Sequence, residues 1–140
     1  MSILRRQPRI GEIYMMRFDG DGSEQNGWRP GLVLQNNTGN IHSPNIIALP
    51  LTSAIKKQYL PTHVLIPAKG TGLKMDSMVL CENPERMSKS KIGNYITTIP
   101  PNIMSEVAEA YLLATSVIAY IDPNNLIVIW QRAVSLNATL

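Results

Sequence analysis

Short apolar runs separated by clusters of turn-forming residues make up the first hundred positions of this sequence. Each run mixes β-branched, aromatic and aliphatic residues and stops at glycine, proline, asparagine or aspartate, which is the pattern of β-strands joined by tight turns. The predicted strands are Gly11–Phe18, Gly31–Gln35, Asn45–Leu51, Pro61–Pro67, Asp76–Asn83 and Tyr95–Ile99. We expect Asn36–Asn40 to form a turn and Glu85–Lys91 a single turn of helix. Short strands spaced in this way favour a small β-barrel over alternating strands and helices.

The period of the pattern changes at Pro100 and Pro101. From there to Ile121 the apolar residues recur every three or four positions, which predicts an amphipathic helix that caps the barrel. Asp122–Pro123 interrupts this pattern. The composition of Leu126–Trp130 suits a strand, although Asp122–Pro123 could equally start a second helix. Because an exposed segment this apolar would be unusual, we expect it to pack on the barrel or on a second copy of the chain.

The size and composition of the chain favour one domain in a reducing compartment. It has 140 residues, 44% of them hydrophobic, a net charge of +3 and a pI near 9.2, which suits a nucleic-acid or acidic partner without proving either. Cys81 alone can form neither a disulfide scaffold nor a cysteine zinc site. The first residues lack the apolar run of a signal peptide and no segment resembles a membrane span, so we expect a cytoplasmic protein without membrane contacts. His42 and His63 lack metal-motif spacing, and we expect no metal or cofactor.

The most informative polar stretch is the loop and strand Asp21–Asn36. It concentrates side chains that handle protons and phosphates, namely Ser23, Glu24, Gln25 and Arg29. Pro30 favours an extended conformation for Arg29, which would present a planar cation suited to phosphate at the start of the next strand. The alternative is a solvated hairpin loop in which Arg29 pairs with Glu24. A second polar cluster, Thr52 and Ser53, follows the third predicted strand.

Four stretches together resemble the MazF/PemK family of toxin endoribonucleases. They are Gly11–Tyr14, similar to the family's G-D-I-Y strand; Gly22–Pro30, similar to its G-S-E-Q-x-G-x-R-P loop; Val33–Asn36 with Gly39–Asn40 and Ser43–Pro44; and Leu60–Val64. The resemblance covers roughly Arg9 to Asp122. It implies a mainly β fold with a C-terminal helix (α+β), a small SH3-like barrel of the MazF/CcdB type in residues 1–122. Residues 123–140 would then be a C-terminal extension.

The resemblance also implies an activity. It is the metal-independent, sequence-selective cleavage of single-stranded mRNA, in which the 2′-hydroxyl of the RNA is the nucleophile. Arg29 and Thr52 correspond to the family's catalytic pair, and Glu24 is a candidate base that could alternatively orient Arg29. The positions that correspond to the RNA groove are Ser23, Glu24, Gln25, Leu60, Pro61 and Thr62. Glu82 and Asn83 belong to a further region that touches RNA or stabilises the dimer in relatives. Trp28 is a possible stacking platform for a base.

The partners implied by the resemblance are single-stranded RNA, an acidic MazE-like antitoxin and a second copy of the chain in a homodimer. The clearest departure from the family follows Glu82, where a basic position of relatives is Glu85. Two alternative functions stay open. One is a non-catalytic barrel that binds nucleic acid or protein, and the other is a gyrase-targeting toxin. Gyrase-targeting toxins act through an aromatic C-terminal end, which Asn137–Leu140 does not resemble.

Overall fold

The structure is a computed structural model that describes residues 6–19, 27–55 and 60–138. Its elements in chain order are β1 (Glu12–Phe18), β2 (Gly27–Val33), α1 (Asn37–His42), β3 (Asn45–Thr52), β4 (His63–Ile66), β5 (Ser77–Leu80), β6 (Glu85–Ser88), β7 (Ile92–Thr98), α2 (Pro101–Thr115) and α3 (Leu126–Asn137). Short 3₁₀ helices are formed by Lys89–Lys91, Val117–Tyr120 and Pro123–Asn125. No helix within the described ranges combines the length and the apolar character needed to cross a membrane.

An antiparallel sheet in the order β4-β5-β3-β2-β1-β7 forms the body of the molecule, and β6 also pairs with β3. Ala48 of β3 lies opposite Val33 of β2 and opposite Glu85 of β6, so β2 and β6 flank β3 on its two sides. The prediction of a mainly β fold with a C-terminal helix is confirmed. Pairing among the described strands does not close the sheet, so the expected barrel is open.

The two faces of the sheet carry separate apolar clusters, because successive side chains of a strand point to opposite sides. On one face, Ile13, Leu32 and Leu49 are fully buried in a cluster that α2 completes. The side chains that α2 contributes share one face of the helix at spacings of three and four residues: Ile103, Val107 and Ala110. The second cluster contains Tyr14 and its β1 neighbours Met16 and Phe18, with Ile46, Met87 and Ile92. The curved sheet therefore buries apolar side chains on both sides.

Two segments that we expected to be a turn and a helical turn have other structures. The polar run after Asn36 forms α1, because the Asn36 side chain accepts a hydrogen bond from the N–H of Gly39 at 2.9 Å and caps the helix. Glu85–Ser88 is not helical but forms β6, since pairing with β3 satisfies its backbone; only Lys89–Lys91 makes a 3₁₀ turn.

The helix α2 ends earlier than the apolar pattern of its sequence predicts. Ser116 adopts a left-handed conformation with φ of 54°, and its N–H bonds to the carbonyl of Leu112. This C-cap stops α2 at Thr115, although the apolar residues continue to Ile121. The segment whose structure the sequence left open, Leu126–Trp130, forms the first half of α3.

Candidate active site

The predicted catalytic pair lies on neighbouring strands of the sheet. Gly31 pairs with Pro50, Leu32 with Leu49 and Val33 with Ala48. Arg29 lies two residues before Gly31 on β2, and Thr52 lies two residues after Pro50 at the end of β3. Nη1 of Arg29 donates to the carbonyl of Leu51, the residue before Thr52. Arg29 and Thr52 therefore lie close together at this end of the β2–β3 pair.

The Arg29 guanidinium is only partly satisfied by the protein. Its Nη1 donates a long hydrogen bond of 3.4 Å to the carbonyl oxygen of Leu51. Its Nε is buried and has no hydrogen-bond partner among the residues that the structure describes. A buried donor without an acceptor is costly, by about 1–3 kcal/mol, and such groups are found where a ligand supplies the acceptor.

The Thr52 hydroxyl is oriented by the backbone that follows it. Its Oγ1 accepts a hydrogen bond from the N–H of Ala54 at 3.1 Å. A hydroxyl that accepts from the backbone keeps its own proton for donation to another group. Thr52 can thus act as a fixed hydrogen-bond donor beside Arg29.

Both residues line a cavity of about 600 Å³. Its other described walls come from β1, from the segment before β5 and from β7. The polar side chains in the lining are those of Arg29, Thr52, Ser53, Lys74 and Ser77. The described lining therefore has two cations, three hydroxyls and no carboxylate, a composition that favours an anionic ligand.

Lys74 and Ser77 belong to this cavity although the sequence did not single them out. They lie just before and at the start of β5, and β5 reaches the site by pairing with β3, where Met78 is opposite Thr52. A pairing between strands this far apart in sequence leaves no local signal. Lys91, by contrast, lies outside this cavity and forms an ion pair with Asp19.

The predicted RNA-binding residues around β4 form a second cluster. Glu82 accepts from the Thr62 hydroxyl at 3.1 Å and lies 2.8 Å from Nε2 of His63. The N–H of Leu60 donates to Nδ1 of that ring at 3.4 Å, so a neutral His63 carries its proton on Nε2 and donates it to Glu82. These contacts hold Leu60 and Pro61, both exposed, in front of β4. None of these side chains lines the cavity of Arg29 and Thr52.

The remaining predicted site residues lie either outside the described cavity lining or outside the described part of the chain. Trp28 is 57% exposed on β2 and lies over Gly93 of β7, outside the described cavity lining. Asn83 follows Glu82 at the turn after β5, where its N–H bonds to the carbonyl of Leu80. Ser23, Glu24 and Gln25 lie outside the described residues.

The charge departure at Glu85 lies away from the catalytic pair. Glu85 opens β6 and faces a smaller cavity of about 290 Å³ whose charged lining residues are Arg17, Asp19, Glu85, Arg86 and Lys91. Burial, and to a lesser extent the nearby Asp19 carboxylate, raises the pKa of Glu85 above its usual value. The charge change therefore acts on this polar cavity and not directly on Arg29.

Comparison with protein families gives one extended match. Residues 9–114 match the family described as PemK-like, MazF-like toxins of type II toxin–antitoxin systems. Endoribonuclease EndoA of Bacillus subtilis (strain 168) is 40% identical over 99 residues, which span 71% of this chain and 85% of that protein. The resemblance seen in the sequence is confirmed.

Solved structures give the same fold. MazF from Deinococcus radiodurans matches with a TM-score of 0.67 at 24% identity, covering 80% of this chain and 99% of that one. A mycobacterial endoribonuclease in complex with its cognate antitoxin matches with a TM-score of 0.64 at 26% identity, covering 78% of this chain and 95% of that one.

Proposed function

Because this chain belongs to the PemK-like, MazF-like toxins of type II toxin–antitoxin systems, we propose that it is a metal-independent endoribonuclease that cleaves single-stranded mRNA at selected sequences. The observation that carries the proposal is the shared cavity of Arg29 and Thr52, whose described lining has cations and hydroxyls but no carboxylate. A single phosphodiester group fits this chemistry, with its charge beside Arg29.

The proposed reaction uses the RNA's own 2′-hydroxyl. Its oxygen attacks the neighbouring phosphorus, the bond from phosphorus to the 5′-oxygen breaks, and the products are a 2′,3′-cyclic phosphate and a 5′-hydroxyl. The proton of the 2′-hydroxyl passes to a base, and an acid supplies a proton to the leaving 5′-oxygen. The protein must also stabilise the extra negative charge on the phosphorane oxygens.

Arg29 and Thr52 suit charge stabilisation. The Nε of Arg29, which has no hydrogen-bond partner among the described residues, can donate to a nonbridging oxygen, and the Thr52 hydroxyl can donate to the same group. Because a guanidinium keeps its proton in proteins, Arg29 is a poor base. Glu24, which precedes β2 in the sequence, is the candidate base and could alternatively orient Arg29; Glu24→Gln should lower the cleavage rate in either role.

The decisive experiment is cleavage of a long RNA in EDTA by the wild type, Arg29→Ala and Thr52→Ala. We expect discrete fragments with 5′-hydroxyl ends from the wild type and a loss of at least about 100-fold in each variant, as for other preorganised donors. Arg132→Ala and Thr115→Ala, at exposed positions of the C-terminal region, are the matched controls and should cleave normally. Intact RNA that stays bound would instead identify a non-catalytic binding module, and gyrase-dependent DNA breaks would identify a gyrase toxin.

We further propose that the protein acts in the cytoplasm as a homodimer and that an acidic antitoxin inhibits it by covering the cationic cavity. The mycobacterial relative with known structure is in complex with its cognate antitoxin. Expression of the chain should arrest growth, and co-expression of a neighbouring reading frame that encodes an acidic protein should relieve the arrest. An arrest that persists in the Arg29→Ala variant would contradict the link between toxicity and cleavage.

A further inference from the structure

The helix α3 exposes a broad apolar surface. It has no buried residue, and its apolar side chains include Ile127 at 59% exposure and Trp130 at 62%. At 100° per residue, Leu126, Trp130 and Ala133 fall at the centre of one apolar stripe, whereas Gln131 and Ser135 lie on the opposite side. A stripe of this kind normally faces a core, but α3 presents it to solvent.

The position of α3 is fixed at its last turn. Asn137 accepts a hydrogen bond from the backbone N–H of Asn37 at 3.0 Å through Oδ1, and its carbonyl accepts from Asn37 Nδ2 at 3.3 Å. The Thr38 hydroxyl donates to the carbonyl of Leu136 at 2.8 Å. These three bonds attach α3 to α1. Asn137 lies on the side of the apolar stripe, so α1 meets the last turn of that side, and Leu126, Trp130 and Ala133 stay exposed.

The surface is large enough for a stable interface. Large apolar residues from the end of α2 to the end of α3 are between 38% and 89% exposed: Leu113, Val117, Ile118, Tyr120, Leu126, Ile127, Val128, Ile129, Trp130, Val134 and Leu136. On α3 itself, Val128 falls on the side of Ser135, and the stripe side carries Leu126, Ile127, Ile129, Trp130, Val134 and Leu136. These six side chains present roughly 500 Å², so two copies packed together would bury about 1,000 Å² in total, the size that a specific interface should reach.

The charge of this surface restricts its partner. Between Ser116 and Ala138 the sequence has two charged residues, Asp122 and Arg132. An acidic protein would find a single cation there, and a membrane surface would favour a helix whose polar face is rich in lysine and arginine. An uncharged apolar surface is complementary to another surface of the same composition.

We propose that the apolar stripe of α3 packs against α3 of a second copy of this chain. The helix lies beyond residues 9–114, which match the family, so this interface would be an addition to the family fold. It also lies apart from the catalytic cavity, because α1, to which α3 is attached, joins the ends of β2 and β3 that are remote from Arg29 and Thr52. The proposal therefore does not depend on RNA cleavage.

Cross-linking tests this contact with a matched pair of variants on one helix. Ala133→Cys places a thiol at the centre of the apolar stripe, and Ser135→Cys places one on the opposite side of α3; both positions are exposed. The native Cys81 is buried, and burial raises the pKa of its thiol to about 12, so it does not compete for reagent. With a short bis-maleimide, we expect covalent pairs from Ala133→Cys and at least tenfold less from Ser135→Cys.

Sedimentation of the full chain supplies the second measurement. Ile127→Gln combined with Trp130→Gln should weaken self-association at least about tenfold, as expected when a central aromatic anchor is lost. Because both side chains are largely exposed within one chain, the far-UV circular dichroism should be unchanged.

Two results would overturn the proposal and leave the proposed function intact: equal association of the wild type and the double variant, and equal cross-linking of the two cysteine variants. A wild type that stays monomeric would overturn both this contact and the proposed homodimer. A further test asks whether the Ala133→Cys thiol becomes protected from the maleimide only after neutral phospholipid vesicles or an acidic peptide are added. That result would assign the surface to the added partner and overturn the proposal.

Discussion

At the scale of single residues, the candidate site combines a predicted pair with a cation that the sequence did not suggest. Arg29 and Thr52 were identifiable because they stand next to Pro30 and at the end of an apolar strand, and both belong to recognisable motifs. Lys74 shares their cavity because β5 pairs with β3. It gives the cavity a second positive charge that can contact a phosphate near the one that is cleaved.

Replacement of Lys74 should weaken RNA binding through loss of one phosphate contact. For Lys74→Gln we expect the slope of log K against log salt to become shallower by about 0.7, the value for one contact to a single strand. The measurement is fluorescence anisotropy with 2′-O-methyl RNA, which lacks the nucleophilic hydroxyl. Lys69→Gln, exposed in the preceding turn and outside the cavity, is the control; an equal change in both variants would argue against a specific contact.

Replacement of Glu85 should stabilise the protein near neutral pH. Because the folded state raises the pKa of Glu85 above its ordinary 4.5, the folded protein binds this proton more tightly than the unfolded chain. The free energy of unfolding therefore falls as the pH rises from 4.5 through the raised pKa of Glu85. Glu85→Gln cannot ionise, so it avoids this loss of stability. We expect Glu85→Gln to have a higher Tm than the wild type at pH 7 and the same Tm below pH 4.5. Glu106→Gln on the exposed face of α2 is the control, and a gain that persists in acid would refute this explanation.

At the scale of elements, the sequence predicted what local pattern determines. The short apolar runs located six of the strands, and the apolar spacing of three and four residues located α2. Three other parts of the secondary structure depended on interactions that this pattern does not show. Asn36 turns a polar run into a helix by capping it, the pairing with β3 makes Glu85–Ser88 a strand, and Ser116 stops a helix whose apolar pattern continues. The state of Leu126–Trp130 was ambiguous because a short apolar run suits either a strand or a helix.

The helix α1 connects distant parts of the chain through Asn37. This side chain is buried; its Oδ1 accepts from the N–H of Ile10 at 2.8 Å, and its Nδ2 donates to the carbonyl of Asn137. Asn37→Ala would remove the acceptor of the half-buried N–H of Ile10 and one acceptor of the buried Asn40 amide, so we expect a loss of about 1–3 kcal/mol in the free energy of unfolding. Urea denaturation measures it. Thr38→Ala removes an exposed contact to α3 and should cost less than about 1 kcal/mol; equal losses would show that burial of Asn37 is not the cause.

At the scale of the whole molecule, the open sheet separates the candidate cavity from the exposed helix α3. The cavity of Arg29 and Thr52 lies at one end of the β2–β3 pair, and the α1–α3 contact lies at the other. The described cavity residues lie within residues 9–114, which match the family, and α3 lies beyond them. Addition of α3 can therefore change how the chain assembles without changing the chemistry of its cavity.

Disruption of the α3 surface should spare catalysis. For the double variant Ile127→Gln and Trp130→Gln we expect kcat/KM for RNA within about twofold of the wild type, because surface changes remote from a site cost little transition-state stabilisation. The measurement is initial-rate cleavage of one defined RNA across several protein concentrations. A large loss of activity that is restored at high protein concentration would show that the cavity needs the paired form.

The unpartnered Nε of Arg29 also bears on inhibitor design. A small molecule that brings a sulfonate or phosphonate oxygen to this nitrogen would supply an acceptor that the described residues do not provide. Fragments with an oxyanion at this point should therefore bind more tightly for their size than neutral isosteres, and compounds built outward from them would compete directly with the RNA backbone.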